Sequence, residues 1–117
     1  MATYFKDDEF KCKCGCGTNN ISNKLVDKLD SVRWVIDKPI VINSACRCEK
    51  HNKAVGGSVA SSHLKGLAVD IACTDSSYRD LLLRELLKQG FSRIGIAKTF
   101  IHIDIDESKP DNVIWVY

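Results

Sequence analysis

The chain has 117 residues and a mass of 13.1 kDa, is 44% hydrophobic and 27% charged, and contains only 2 prolines and 7 glycines. That composition excludes collagen-like, low-complexity and intrinsically disordered chains. The 17 Lys and Arg against 15 Asp and Glu leave a net charge of +2 with no basic cluster, so no nucleic-acid partner is expected. No stretch approaches the roughly 18 to 20 apolar residues of a membrane span, and the opening MATYFKDDEFKCKC lacks the apolar centre of a secretion signal. The expectation is a monomer made in the cytoplasm, with no membrane partner.

Between Ile21 and Lys38, Leu25, Val26, Leu29, Val32, Val35 and Ile36 recur at helical spacing, which predicts an amphipathic helix capped by Ser22 or Asn23 and ended by Pro39. Ile40 to Ile42 is β-branched and reads as a buried strand. Leu67 to Ala72 reads as a second strand, with Leu67, Val69 and Ile71 on one face and Ala68, Asp70 and Ala72 on the other. A second helix is predicted from Tyr78 to Gln89, with Ser77 and Asp80 as a capping box, Gly90 just beyond its end, and Leu82, Leu83, Leu86 and Leu87 facing inward. Ile94 to Ala97 and Phe100 to Ile105 follow as strands, with Val113 to Tyr117 as a short further one. Phe100 to Ile105 alternates, placing Ile101, Ile103 and Ile105 against His102, Asp104 and Asp106. The helices are mixed with a small, mostly antiparallel sheet, so the class is α+β. Trp34 and Trp115 are expected in the core or in a cleft wall, and Asp106 on the solvent side of its strand.

Only three histidines exist: His51, His63 and His102. His63 precedes Asp70 in one short segment, and Asp70 is flanked on its strand face only by alanines, which leaves space for something larger than a side chain. A zinc ion fits such a space, because it accepts imidazole nitrogen and carboxylate oxygen at about 2.0 to 2.2 Å. His102, on a strand whose polar residues share one face, supplies the third ligand. Three protein ligands leave a coordination position open for catalysis.

Ser61 to Asp70 matches the pattern SxHxxGxAxD at every fixed position. Upstream, Ser44 to Arg47 followed by His51-Asn52 and Val55-Gly56-Gly57 gives SxxR...HNxxVGG, and downstream Phe100 to Asp104 forms a closing ligand strand. Together these resemble the M15 zinc peptidases, the D-alanyl-D-alanine carboxypeptidases and their endolysin relatives. The resemblance implies the α+β fold shared with hedgehog domains, formed by residues 1–117 as one zinc peptidase domain on which the cysteine-rich residues 1–20 pack. It implies one catalytic zinc held by His63, Asp70 and His102, and hydrolysis of peptidoglycan stem peptides, by removal of a terminal D-Ala or by cleavage within the stem. Arg47 corresponds to the family arginine that lines the substrate site, and a guanidinium suits a paired contact with a substrate carboxylate. Ser61 is open to a substrate contact or to a turn or cap role. An enzyme of this kind, phage or bacterial, reaches the cell wall after release or delivery.

Many M15 enzymes carry an acidic general base three positions before the last histidine, and here that position is Thr99. Asp104 is the substitute expected from sequence, being two residues from His102 on one strand face, with His51 as second candidate. Accepting a hydrogen bond from a ligand imidazole, and so orienting it, is the competing role for Asp104. A non-catalytic, hedgehog-like zinc module that has lost its base is the rival to an enzyme. Cys12, Cys14, Cys16, Cys46 and Cys48 are candidates for a second, structural metal site, for a disulfide or for simple reduced packing, and a thiol redox protein is a third class resting on them alone. Cys73 reads as a small buried hydrophobe.

Overall fold

Ser22 lies outside the helix and its hydroxyl accepts the Leu25 amide at 3.4 Å, which starts α1 (Asn23–Ile36). The helix stops where Asp37 turns left-handed, at φ 50°. Leu25, Val26, Leu29, Val32 and Ile36 are buried, whereas Val35, counted in the predicted stripe, is 53% exposed and Trp34, expected in the core or in a cleft wall, is 73% exposed. Both lie past the edge of the arc that meets the sheet. The computed structural model describes residues 4–117; residues 1–3 of the expected N-terminal segment lie outside the described residues.

The strands are β1 (Ile42–Ser44), β2 (Ala68–Ala72), β3 (Arg93–Ile96), β4 (Phe100–Asp104) and β5 (Val113–Val116), in the order β1-β2-β4-β3-β5. All neighbours are antiparallel except β3 and β5. The first strand starts later than its β-branched run: Val41 is exposed and contributes only its carbonyl, which accepts the Ala72 amide at 2.9 Å. A six-residue helix, α2 (Glu49–Ala54), follows β1 and has no amphipathic run to announce it. In α3 (Ser76–Lys88) the cap is Asp75 rather than Ser77, its carboxylate accepting the Tyr78 amide at 2.8 Å, a charge that also suits a helix N-terminus. Leu82 and Leu86 are buried there, Leu83 packs against the core and Leu87 is exposed.

Alternation along the central strands divides the sheet. Val69, Ile71, Ile94, Ile101 and Ile103 form one face and pack with Leu25, Leu29, Val32, Leu82 and Leu86 of α1 and α3. Each fully buried Ile or Leu of this kind contributes roughly 1.5 to 3 kcal/mol. On the other face the register sets Asp70 opposite His102, His102 opposite Gly95, and Gly95 beside Trp115. One row across four strands thus sets Asp70 and His102 side by side with Trp115 beyond Gly95, over the apolar face beneath. Among the described residues no helix is long and apolar enough to cross a membrane.

Candidate metal centre

His63 reaches this row from a 3-10 turn, Ser62–Lys65, that precedes β2. Three contacts fix the turn. Ser61 Oγ accepts the His63 amide at 3.2 Å, the Arg47 amide donates to the His63 carbonyl at 3.2 Å, and Ser62 Oγ donates to Asp106 Oδ2 at 2.8 Å. Asp106, expected toward solvent, is buried and also accepts from Lys65 Nζ at 3.1 Å and Ser108 Oγ at 2.6 Å. Burial alone would raise its carboxyl, but the hydrogen bonds of Ser108, Ser62 and Lys65 outweigh it and hold the group well below the usual range.

The donor atoms of His63, Asp70 and His102 all lie within 4.8 Å of one another, and all three residues are buried. His63 Nε2 is 3.3 Å and His102 Nδ1 is 2.9 Å from Asp70 Oδ1. Ligands at about 2.0 to 2.1 Å on a tetrahedron stand roughly 3.3 Å apart, so the set has the dimensions of a zinc site. The remaining ring nitrogens are spoken for. His63 Nδ1 donates to the Ala45 carbonyl at 2.7 Å, and His102 Nε2 donates to Asp104 Oδ2 at 2.8 Å. Each partner is an acceptor, so each leaves the other nitrogen to face the shared centre.

Burial would push the Asp70 carboxyl up, but the hydrogen bonds and charges of His102 and His63 outweigh it and bring it down to about 2. Burial would push His102 down, and the Asp104 and Asp70 carboxylates more than reverse this, so the imidazole is raised. Asp104 is lowered because hydrogen bonds from His102 and Arg93 overcome its burial. Both of its oxygens are engaged: Oδ1 accepts from Arg93 Nε at 2.7 Å and from the Asp106 amide at 3.2 Å, Oδ2 accepts from His102, and the residue is 2% exposed.

These groups border a cavity of about 370 Å³. Arg47 forms part of its wall, with Nη2 3.6 Å from Asp70 Oδ2 and Nε donating to Ser44 Oγ at 3.1 Å. Buried Asn52 holds it, accepting from Arg47 Nη1 at 3.2 Å while its own amide donates to the Ser58 carbonyl at 2.8 Å. A Cβ on Gly57 would stand 2.1 Å from Asn52 Oδ1, so the clasp requires glycine there. The opposite wall is aromatic: Trp115 lies 5.5 Å from the His102 ring, centre to centre, and Phe100 lies 5.1 Å from Tyr117. Trp115 covers Gly95, where a Cβ would come within 2.5 Å of the indole nitrogen. Ser61 borders the cavity, whereas His51 and Thr99 do not.

The sequence model of the Peptidase M15 family matches residues 3–104. The chain belongs to the M15 peptidases. Its matched region includes every residue of the His63, Asp70 and His102 set, in a family that is zinc-dependent. No curated protein gives a significant match to the chain. The M15 chain is thus a metallopeptidase domain by family, acting on a peptide, with a donor set that fits zinc. Sequence reasoning gave Arg93 no role and Asn52 none beyond its place in a motif, whereas Trp115, expected in the core or in a cleft wall, lines the cavity. The HNxxVGG run signalled Asn52, whereas Arg93 and Trp115 needed the register of β3 against β4 and β5.

Proposed function

We propose that this M15 domain hydrolyses peptidoglycan stem peptides at a zinc centre held by His63 Nε2, Asp70 and His102 Nδ1. The observation that carries the reading is the convergence of three donors of zinc-site dimensions beside Arg47 in one cavity. Zinc in such a site supplies a Lewis acid, polarising a carbonyl and lowering the pKa of water toward about 7.

The chain's own groups do the positioning. Arg47, braced by Ser44 and Asn52, keeps part of its guanidinium toward the cavity, and a substrate carboxylate, a terminal D-Ala or the D-Glu of a stem peptide, completes a paired contact with it. Ser61 Oγ accepts the His63 amide and retains its own proton to donate to a substrate carbonyl. Trp115 and Tyr117 shield the opposite side. For Asp104 the geometry favours orientation of His102 over acceptance of a proton from water, since neither oxygen is left without a donor. A wall-degrading enzyme acts after release or delivery from the cytoplasm, and a monomer suffices because one chain supplies all three donors.

Purified muropeptides incubated with the zinc-loaded protein and analysed by mass spectrometry test the reading and identify the scissile bond. Loss of a terminal alanine marks a carboxypeptidase, and separation of stem fragments an endopeptidase. Turnover that disappears in His63→Ala supports the proposal. Intact muropeptides after exposure to fully zinc-loaded protein would favour the non-catalytic zinc module instead.

A further inference from the structure

The six cysteines take no part in the chemistry above, yet the fold sorts them. Cys12, Cys14, Cys16 and Cys48 come together from distant parts of the chain, with all four sulfurs within 4.8 Å of one another. Cys46, which spacing alone grouped with them, is buried and faces Asn19 Oδ1 at 3.5 Å, and Cys73 is buried elsewhere. The two part because of where each sits: Cys46 is buried in the loop after β1, whereas Cys48, two positions on, caps α2 and accepts the His51 amide.

The sulfur separations are the informative quantity. Cys12 to Cys14 is 3.5 Å, Cys12 to Cys48 is 3.8 Å and Cys14 to Cys48 is 3.7 Å. A disulfide brings two sulfurs to about 2.05 Å and would pair them, whereas these are nearly equidistant. Four thiolates on a tetrahedron around zinc, each at about 2.3 Å, stand about 3.8 Å apart. Backbone amides are already aimed at two of the sulfurs, Cys48 N–H at Cys12 Sγ and His51 N–H at Cys48 Sγ, both at 3.4 Å, as anionic sulfur requires.

We propose that Cys12, Cys14, Cys16 and Cys48 hold a second zinc, closed and structural, that clamps the N-terminal segment to the turn carrying Arg47. Four soft thiolates fill the coordination sphere and leave no position for substrate. Loading converts four thiols and one Zn²⁺ into a tetrathiolate and four released protons, with no change of oxidation state. The clamp acts on the right stretch of chain. Ala45, whose carbonyl orients His63, and Arg47 both lie within three residues of Cys48, and the Cys46 amide donates to the Phe10 carbonyl at 3.0 Å on the same junction. The metal site itself stands apart from the proposed hydrolysis; only its effect on Arg47 rests on that reading.

The test uses the full chain carrying His63→Ala and His102→Ala, purified under reducing conditions, so that failure of the catalytic centre cannot imitate failure of this one. Elemental analysis is expected to find one zinc per chain, against two in the unmodified protein. X-ray absorption at the zinc edge should show four sulfurs at about 2.3 Å, and Co²⁺ substitution should give thiolate charge-transfer bands. Adding Cys14→Ser and Cys48→Ser should abolish both. If those replacements prevent folding, the absorption spectrum of the folded double-histidine variant still decides. A zinc-free double-histidine variant, a zinc shell without four sulfurs, or a disulfide among the four cysteines in the freshly purified chain would each overturn the proposal.

Discussion

Replacing Asp104 with Asn separates its two possible roles. The carboxylate accepts from His102 Nε2 at 2.8 Å and from Arg93 Nε at 2.7 Å. An asparagine of nearly equal volume can keep the Arg93 bond with its carbonyl, but then presents an N–H₂ group to His102. The imidazole answers by moving its proton from Nε2 to Nδ1, the atom that faces Asp70 and the metal position, so the ligand lone pair is lost unless the ring is forced into the unfavourable tautomer. Loss of such an outer-shell partner typically costs 10- to 100-fold in metal affinity, about 1.4 to 2.7 kcal/mol. Zinc competition against a chromophoric chelator, run beside peptide turnover at limiting and saturating zinc, reads both consequences. Asp104→Asn is expected to weaken zinc by that factor and to recover much of its activity once zinc is saturating. Unchanged zinc affinity with turnover reduced more than a hundredfold at every zinc concentration would refute the orienting role and make Asp104 the proton acceptor.

Arg47→Ala is expected to raise KM for substrates with a free carboxylate by roughly 10- to 100-fold, the worth of a hydrogen bond to a charged group, and to change little for substrates whose carboxylate is amidated. Equal losses for both would mean that Arg47 serves only Asp70. Gly95→Ala should displace the Trp115 indole, which the new Cβ would approach within 2.5 Å, and lower kcat/KM; indole fluorescence followed in a Trp34→Phe background shows the movement, and an unaltered spectrum would contradict the packing. Asp106→Asn should cost roughly 1.5 to 3 kcal/mol at neutral pH, since it removes a buried charged acceptor for Ser62, Lys65 and Ser108. Because the folded pKa lies below the unfolded value of about 3.9, that contribution is complete above pH 4 and fades as pH falls toward the folded pKa. Denaturant midpoints of the two proteins should therefore converge in acid, and a gap that widened there would reverse the sign argued.

The later strands and both long helices were legible because their patterns are local, period two in Phe100 to Asp104 and a stripe of buried positions in α1, whereas β1 begins only at the end of its expected run. His63 and Asp70 stood out as one short segment and His102 as the polar face of its strand, while the pairing that joins them is the register of β2 with β4. What escaped depends on pairing between distant segments. Arg93 reaches Asp104 only through the antiparallel register of β3 with β4, and Trp115 reaches His102 only because β5 runs parallel beside β3 over a glycine. Alternation also misjudged Asp106, since it says which side a residue faces and not that Ser62, Lys65 and Ser108 close over it. The short α2 stayed hidden because Glu49 to Ala54 has no apolar stripe; it is set by the cysteine and asparagine contacts at its ends.

A crystal of the zinc-loaded chain, measured on both sides of the zinc absorption edge, tests the central assignment most directly. An anomalous peak about 2.0 to 2.2 Å from His63 Nε2, an Asp70 carboxylate oxygen and His102 Nδ1 is the predicted result. Full zinc occupancy elsewhere with none among those three atoms, or a zinc bound through His102 Nε2 and Asp104, would contradict it.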